Sequence, residues 1–166
     1  KYRNLKTLFI FYVFSFLNLN KINLKIVTPE KLVYENIVDE IYASTHSGVI
    51  GILPEHFPLV TALKPGEIRV KEKGTEVPMA VSGGILEVRP MQKSEDGFVT
   101  EVIILADRLE FSHEIDIKRA KEAYERAKKA MEEKENMADI DFARVQSNIE
   151  KELNRIKVAT KYRGVK

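Results

Sequence analysis

The sequence predicts two structural classes in succession: a β domain of sandwich or small-barrel type, then an antiparallel hairpin of two helices. Three observations carry this. Short runs of period-two hydrophobicity, separated by turns rich in Pro and Gly, fill residues 21–106. From residue 112 the period becomes helical, in two one-faced runs with a polar break between them. Charge density changes at the same place. Residues 1–106 carry 12 basic and 12 acidic side chains, whereas residues 107–166 carry 15 and 13 in little more than half the length. The chain therefore divides into an extension that matches neither part (1–20), a β domain (21–108) and a helical hairpin (109–163).

The extension, KYRNLKTLFIFYVFSFLNLN, begins with Lys1, Arg3 and Lys6 and continues into an apolar run from Leu8 to Leu17. No acidic residue precedes Glu30. A basic head followed by an apolar run has the form of a signal peptide, but no small-x-small cleavage site follows. The run is also short of the about 20 apolar residues of a spanning helix. Three readings stand: a family-atypical extension or one read from an upstream start, since position 1 is not Met; a targeting or anchoring segment; or a first strand or helix.

In the β domain, Ile22, Leu24 and Ile26 alternate with Asn23 and Lys25, the pattern of a half-buried strand. Ile41 and Ala43 share one face opposite Glu40 and Tyr42. Ile68 and Val70 alternate with Arg69 and Lys71, and Val77, Met79 and Val81 fall together. Val102 to Ala106 is a fully apolar run. Thr28-Pro29, Lys64-Pro65-Gly66, Lys73-Gly74 and Ser82-Gly83-Gly84 read as turns, and Asp96-Gly97 as a hairpin tip. Many short strands with turns every eight to twelve residues predict a sandwich or small barrel.

The segment from His46 to Val70 is the most individual. Gly48 and Gly51 permit close backbone approach, while Pro54 and Pro58 bar ladder pairing on both sides of Glu55 and His56. That composition makes a rigid loop projecting from a sheet edge, a common form of recognition surface. His56 also has a plainer reading, in which it bonds a backbone carbonyl and holds the turn.

In the first predicted helix Ile117, Ala120, Ala123, Tyr124, Ala127, Ala130 and Met131 form a narrow apolar stripe, with Asp116 placed as N-cap. Arg119 and Arg126 lie seven residues apart, two turns along one face. After the polar break at residues 132–139 a second helix starts at Asp139 or Asp141, with Phe142, Val145, Ile149, Leu153 and Ile156 as its stripe. A short link between two one-faced helices predicts that the stripes meet. Alanine stripes bury little area, so the hairpin is expected to be marginal alone and able to leave its partner surface at modest cost.

Composition excludes several classes. The absence of cysteine removes disulfides and thiolate metal sites. A net charge of +2 is too balanced to advertise nucleic-acid binding, and the three histidines have no metal-ligand spacing. No GxxxxGK[ST] loop or nucleophile motif is present.

Taken in order, GVIGILPEHFPLVTALKPGEIRV, VSGGILEVRP, VIILADR and the Ile-Asp-x-x-Arg-Ala run at Ile115–Ala120 resemble the epsilon subunit of bacterial F-type ATP synthases, to which the chloroplast epsilon and mitochondrial delta subunits are similar. The likeness runs from Ile22 to Val158. It implies a ten-stranded β-sandwich followed by a two-helix hairpin, and a non-catalytic subunit of the rotor's central stalk with no obligatory cofactor. The implied partners are the gamma subunit and the ring of c subunits, so that proton or sodium flow is coupled to ATP synthesis at the cytoplasmic face of a bacterial membrane. Ser47, Gly48, Val49, Glu55 and His56 correspond to the loops that meet the c ring; Glu55 replaces the usual glycine there, which predicts a changed loop conformation and charge. MQKSEDGFVTE is longer than the turn of relatives.

In this family the hairpin folds on the sandwich or extends into the catalytic alpha-beta ring, where it restrains ATP hydrolysis. In some members ATP, as a regulatory ligand, stabilises the folded form. The positions that correspond are Glu110, Ile115, Asp116, Arg119, Ala120, Arg126 and Arg155, with Lys151 where ATP-binding relatives have arginine. Lysine keeps the charge but loses the bidentate fork. The alternatives are a stand-alone ATP-sensing module, a membrane-anchored β-sandwich adapter resting on residues 8–17, and pairing of Arg119 and Arg126 with Glu122 and other exposed acids.

Overall fold

A computed structural model describes residues 20–90, 92–94, 97–132 and 139–164, with the backbone alone at 20, 92–94, 97, 98 and 139–141. The opening extension up to residue 19, Asp96 of the expected hairpin tip and most of the polar break between the helices lie outside the described residues.

Ten strands form one sheet folded into two layers: β1 (Asn20–Val27), β2 (Leu32–Val38), β3 (Glu40–Thr45), β4 (Gly48–Ile52), β5 (Leu59–Glu72), β6 (Thr75–Val81), β7 (Gly84–Val88), β8 (Gln92–Ser94), β9 (Gly97–Ala106) and β10 (Leu109–Phe111). The path runs β10-β6-β5-β7-β9-β1-β2, with β3 and β4 continuing from β5 and β8 lying on β9. All pairings are antiparallel except β1 with β9, which run parallel from Asn20↔Phe98 to Val27↔Leu105.

The alternating positions point inward as expected. Ile22, Leu24, Ile26, Ile41, Ala43, Ile68, Val70, Met79, Leu86 and Ile104 are fully buried and pack as one core between the layers. Period-two sequence becomes sandwich here because each strand offers one apolar face and the two faces cover each other. The run from Val102 to Ala106 departs from its fully apolar reading. Val102, Ile104 and Ala106 are buried, but Leu105 is 54% exposed.

Lys64-Pro65-Gly66 is not a turn, since β5 runs through it for 14 residues. Its first half pairs with β7 from Leu59↔Val88 to Leu63↔Gly84. Its second half pairs with β6 from Gly66↔Val81 to Glu72↔Thr75, and with β3. Turn chemistry is used to bend one strand from one layer into the other. Pro65 has no N–H to lose where the ladder changes partner. A Cβ on Gly66 would lie 2.3 Å from that of Ser44, whose hydroxyl bonds both the N–H and the carbonyl of Glu67. Lys73-Gly74 is a true hairpin turn, with both residues at positive φ (50° and 83°), the two-residue geometry that matches strand twist.

Two helices follow, α1 (Ile117–Glu132) and α2 (Asp139–Lys161). Asp116 caps α1, its carboxylate accepting the Arg119 N–H at 3.0 Å. Along α1 the seven predicted stripe residues are the ones withdrawn from solvent, yet only Ala120 is fully buried. On α2 Val145, Ile149, Leu153 and Ile156 are half-buried, while Phe142 stays 44% exposed at the far end. The hairpin meets the sandwich through α2, which contacts β5 and β6. A second, smaller cluster of Ala80, Ile115, Val158 and Ala159 seals that junction.

Candidate functional site

Two groups of residues stand out, one on the hairpin and one on the loops of the sandwich. On the hairpin side Glu110 lies in β10 and receives the guanidinium of Arg155 as a fork, Nε to Oε2 at 2.5 Å and Nη2 to Oε1 at 3.0 Å. Arg155 Nη1 donates to Glu152 at 2.7 Å, and Arg108 Nη2 reaches Glu110 at 3.3 Å. The Arg155 side chain is 13% exposed. Burial pulls its guanidinium down, but the bonds to Glu110 and Glu152 outweigh this and hold it above the ordinary arginine range. Ile115 and Ala120 are apolar packing, Ile115 at the seam between α2 and β6.

The two α1 arginines behave differently. Arg119 is 84% exposed and pairs with Asp116 at 3.3 Å, not with Glu122. Arg126 is exposed and makes no ion pair among the described residues. It stands at a groove between the helices lined by Tyr124, Leu153 and Ile156, with Lys121, Glu122 and Glu125 around it. Lys151 is half-buried on α2 and does not line that groove. The eight expected positions therefore fall into a half-buried ion-paired cluster (Glu110, Arg155), apolar packing (Ile115, Ala120), the cap of α1 (Asp116), exposed cations on α1 (Arg119, Arg126) and the half-buried Lys151 on α2. They do not form one closed pocket. The groove's rim carries two cations, Lys121 and Arg126, and two carboxylates, Glu122 and Glu125, so a flat ring with an attached anion would have to seat its charge at the cations. Arg155 can join an anion only by exchanging a carboxylate for it.

The loop residues are set by a separate logic. Thr45↔Gly48 closes the β3–β4 hairpin, and Thr45 Oγ1 donates to Gly48 O (2.8 Å) and accepts from Ser47 N (3.2 Å). Val49 follows, 67% exposed. Glu55 takes φ of 66°, the left-handed region that glycine enters without cost. Its N–H is held by the hydroxyl of Thr100, itself 1% exposed, at 2.8 Å. So the loop places a carboxylate on a backbone conformation that glycine adopts readily. His56 Nδ1 donates to the carbonyl of Phe57 at 2.7 Å, as its plainer reading holds. Ser47–Val49 thus sit at the start of β4, and Glu55-His56 follow its end at Ile52.

Sequence reasoning missed two features. Val60, Ile85 and Leu105 are 70%, 50% and 54% exposed on the outer side of one layer. The register aligns Ile85 and Leu105 with Ala62 and Val27 in a band, Ala62↔Ile85, Ile85↔Leu105 and Leu105↔Val27, across four strands, and Val60 lies beside it two residues from Ala62 on the same face of β5. The second is the docking face of α2 at Asn154, Val158, Ala159, Lys161 and Tyr162. Its signal was a second set of helical spacings beside the Leu153–Ile156 stripe. Among the described residues no group of three or more His, Asp or Glu could hold a metal ion, and no helix is long and apolar enough to cross a membrane.

Comparison with known proteins matches residues 21–112 to the β-sandwich domain of the ATP synthase delta/epsilon chain and residues 113–160 to the long α-helix domain of the same chain. The ATP synthase epsilon chain of Desulforamulus reducens is 42% identical over 136 residues, 82% of this chain and 95% of that one. That of Halalkalibacterium halodurans is 40% identical over 138 residues, 83% and 96%. In fold the chain is similar to a chain in the Euglena gracilis mitochondrial ATP synthase OSCP/F1/c-ring assembly, with TM-score 0.67 at 23% identity, covering 86% of this chain and 84% of that one.

Proposed function

The chain belongs to the delta/epsilon family of ATP synthase chains, as an epsilon subunit of the F-type complex, and from that premise we propose that it is a non-catalytic coupler in the rotor. It ties the gamma subunit to the c ring, so that ion flow drives synthesis. It also restrains ATP hydrolysis when its hairpin leaves the sandwich and enters the alpha-beta ring. The place of work is the cytoplasmic side of the membrane that carries the complex.

The observation that carries this reading is the apolar band Ala62–Ile85–Leu105–Val27 on the outer face of a rigid sheet. Aliphatic side chains aligned across four strands and left in water are what a permanent partner covers. We assign the gamma subunit to this band and the c ring to the loops at Ser47–Val49 and Glu55-His56. Ile85→Lys should abolish stoichiometric co-purification with gamma while the sandwich stays folded. Unchanged co-purification would remove the assignment.

A regulatory nucleotide is a second reading, favoured by the unpaired Arg126 beside the apolar inter-helix groove. Titration of the chain with MgATP should give heat that is lost in Arg126→Ala and reduced in Arg119→Ala. No heat up to millimolar ATP would refute it.

A further inference from the structure

The hairpin is held to the sandwich by a small contact that is directional only where it is polar. Its apolar part has four buried side chains, three of them no larger than valine (Ala80, Ile115, Val158 and Ala159), with Ile117 and Tyr162 packed half-buried against them. Around them α2 sends polar groups from its last turns. Asn154 Nδ2 donates to the carbonyl of Gly66 at 2.8 Å and lies 3.4 Å from that of Val81, the pair at which the β5–β6 ladder ends. Lys161 Nζ reaches both oxygens of Glu67, at 3.1 and 2.9 Å, and the Tyr162 hydroxyl donates to the same carboxylate. Glu67 is fixed in turn from the sandwich side, its backbone N–H and carbonyl bonding Ser44 Oγ and its carboxylate lying 3.4 Å from Arg69 Nε.

We propose that Glu67, with Lys161 and Tyr162, is the release point of a latch that sets the fraction of time the hairpin stays docked. The proposal rests on the reading of the hairpin as a moving part. Three polar contacts join α2 to the sandwich, and they differ in what undocking would leave behind. Arg155 and Glu110 are 13% and 20% exposed, so each is poorly hydrated while docked and holds the other by a bidentate fork. Asn154 bonds neutral backbone carbonyls, a contact that added salt does not screen. Lys161 is 54% exposed, and its partner Glu67 is 22% exposed. Lysine returns to water at little cost, and a competing cation or added salt can take its place on Glu67. The contact nearest solvent is therefore the one through which docking responds to surroundings, while Arg155–Glu110 fixes where the helix lands.

The chain has no cysteine, so two introduced ones label it uniquely. Thr75→Cys in β6 and Lys157→Cys in α2 both sit at exposed positions. Spin labels there should report one narrow distance in the full chain. Glu67→Gln should raise the fraction at longer distances about tenfold, in line with the loss of a charge-assisted bond, and 0.5 M salt should move the parent chain the same way. Lys161→Ala should act like Glu67→Gln, with Lys161→Arg restoring the docked distance; this pair keeps the test open if Glu67→Gln disturbs the sandwich. A distance distribution that none of these changes, or one already broad in the parent chain, overturns the latch. Failure to bind gamma would touch the functional reading and leave these distances as they are.

Discussion

The sandwich, ten strands between Asn20 and Phe111, and the hairpin, two helices between Ile117 and Lys161, are stabilised in different ways. The sandwich buries whole Ile, Leu and Met side chains between two layers, nine of its large ones with no exposure. The hairpin's first helix buries a single alanine completely, and the second helix none of its stripe. Burial is worth about 25 cal/mol per Å², so a fully enclosed isoleucine counts for several half-covered alanines. The lesson is that one part is a frame which holds its shape alone, whereas the other is an arm whose position is decided by a few contacts. A body that must carry load and also move a piece of itself is well served by that division.

The sharpest way to break the comparison is to injure each part in turn. Ile68→Ala, in the second half of β5, should cost about 2–5 kcal/mol and lower the melting temperature of the whole chain. Calorimetry that showed only a local change would mean the core is not one cooperative unit. On the hairpin, Asp116→Ala removes the cap of α1 and should cost about 1 kcal/mol, seen as lost amide protection in residues 117–120. The main melting transition should stay where it is; a matching drop would say that arm and frame unfold together. The smallest expected effect is a pH dependence that belongs to the frame. The hydrogen bond from Lys21 holds Asp39 below the usual carboxylate range, opposed in part by burial. A depressed carboxylate contributes stability above its unfolded value of about 3.9 and loses it as pH falls through the lower folded value. Asp39→Asn should flatten the acid limb of sandwich stability below about pH 4, with the hairpin's helical signal following its own course.

Most of the frame was legible in the sequence because alternation is a local property. Ile22, Leu24 and Ile26 face the core whatever strand they pair with. Lys64-Pro65-Gly66 misled for the opposite reason: whether such a triplet turns the chain or bends a strand depends on its partners, here β7, β6 and β3, which lie outside the local pattern of the triplet itself. The α1 stripe was readable residue by residue, again because its period is local. The docking face was not, since Asn154, Lys161 and Tyr162 are ordinary exposed-looking residues until Gly66 and Glu67 are placed against them. Of the candidate site, residue types were readable and their association was not. Arg155 looks like a free cation in sequence, and only the fold brings Glu110 to it across 45 positions. Glu55 shows its replacement of glycine in the sequence, but the Thr100 hydroxyl that holds its left-handed backbone lies 45 positions away.

The parallel pairing of β1 with β9 has a consequence for how the molecule is made. Residues 20–27 must wait for residues 98–105 before either strand has its central neighbour. A chain that emerges from the ribosome in order carries β1 paired with β2 on one edge and open on the other until β9 is made, since non-local strand pairs form late and slowly. Closure of the frame and the appearance of the arm are therefore almost simultaneous events. α2 emerges well after β5 and β6 can pair, so its landing place already stands when Asn154, Lys161 and Tyr162 arrive to fasten the hairpin down.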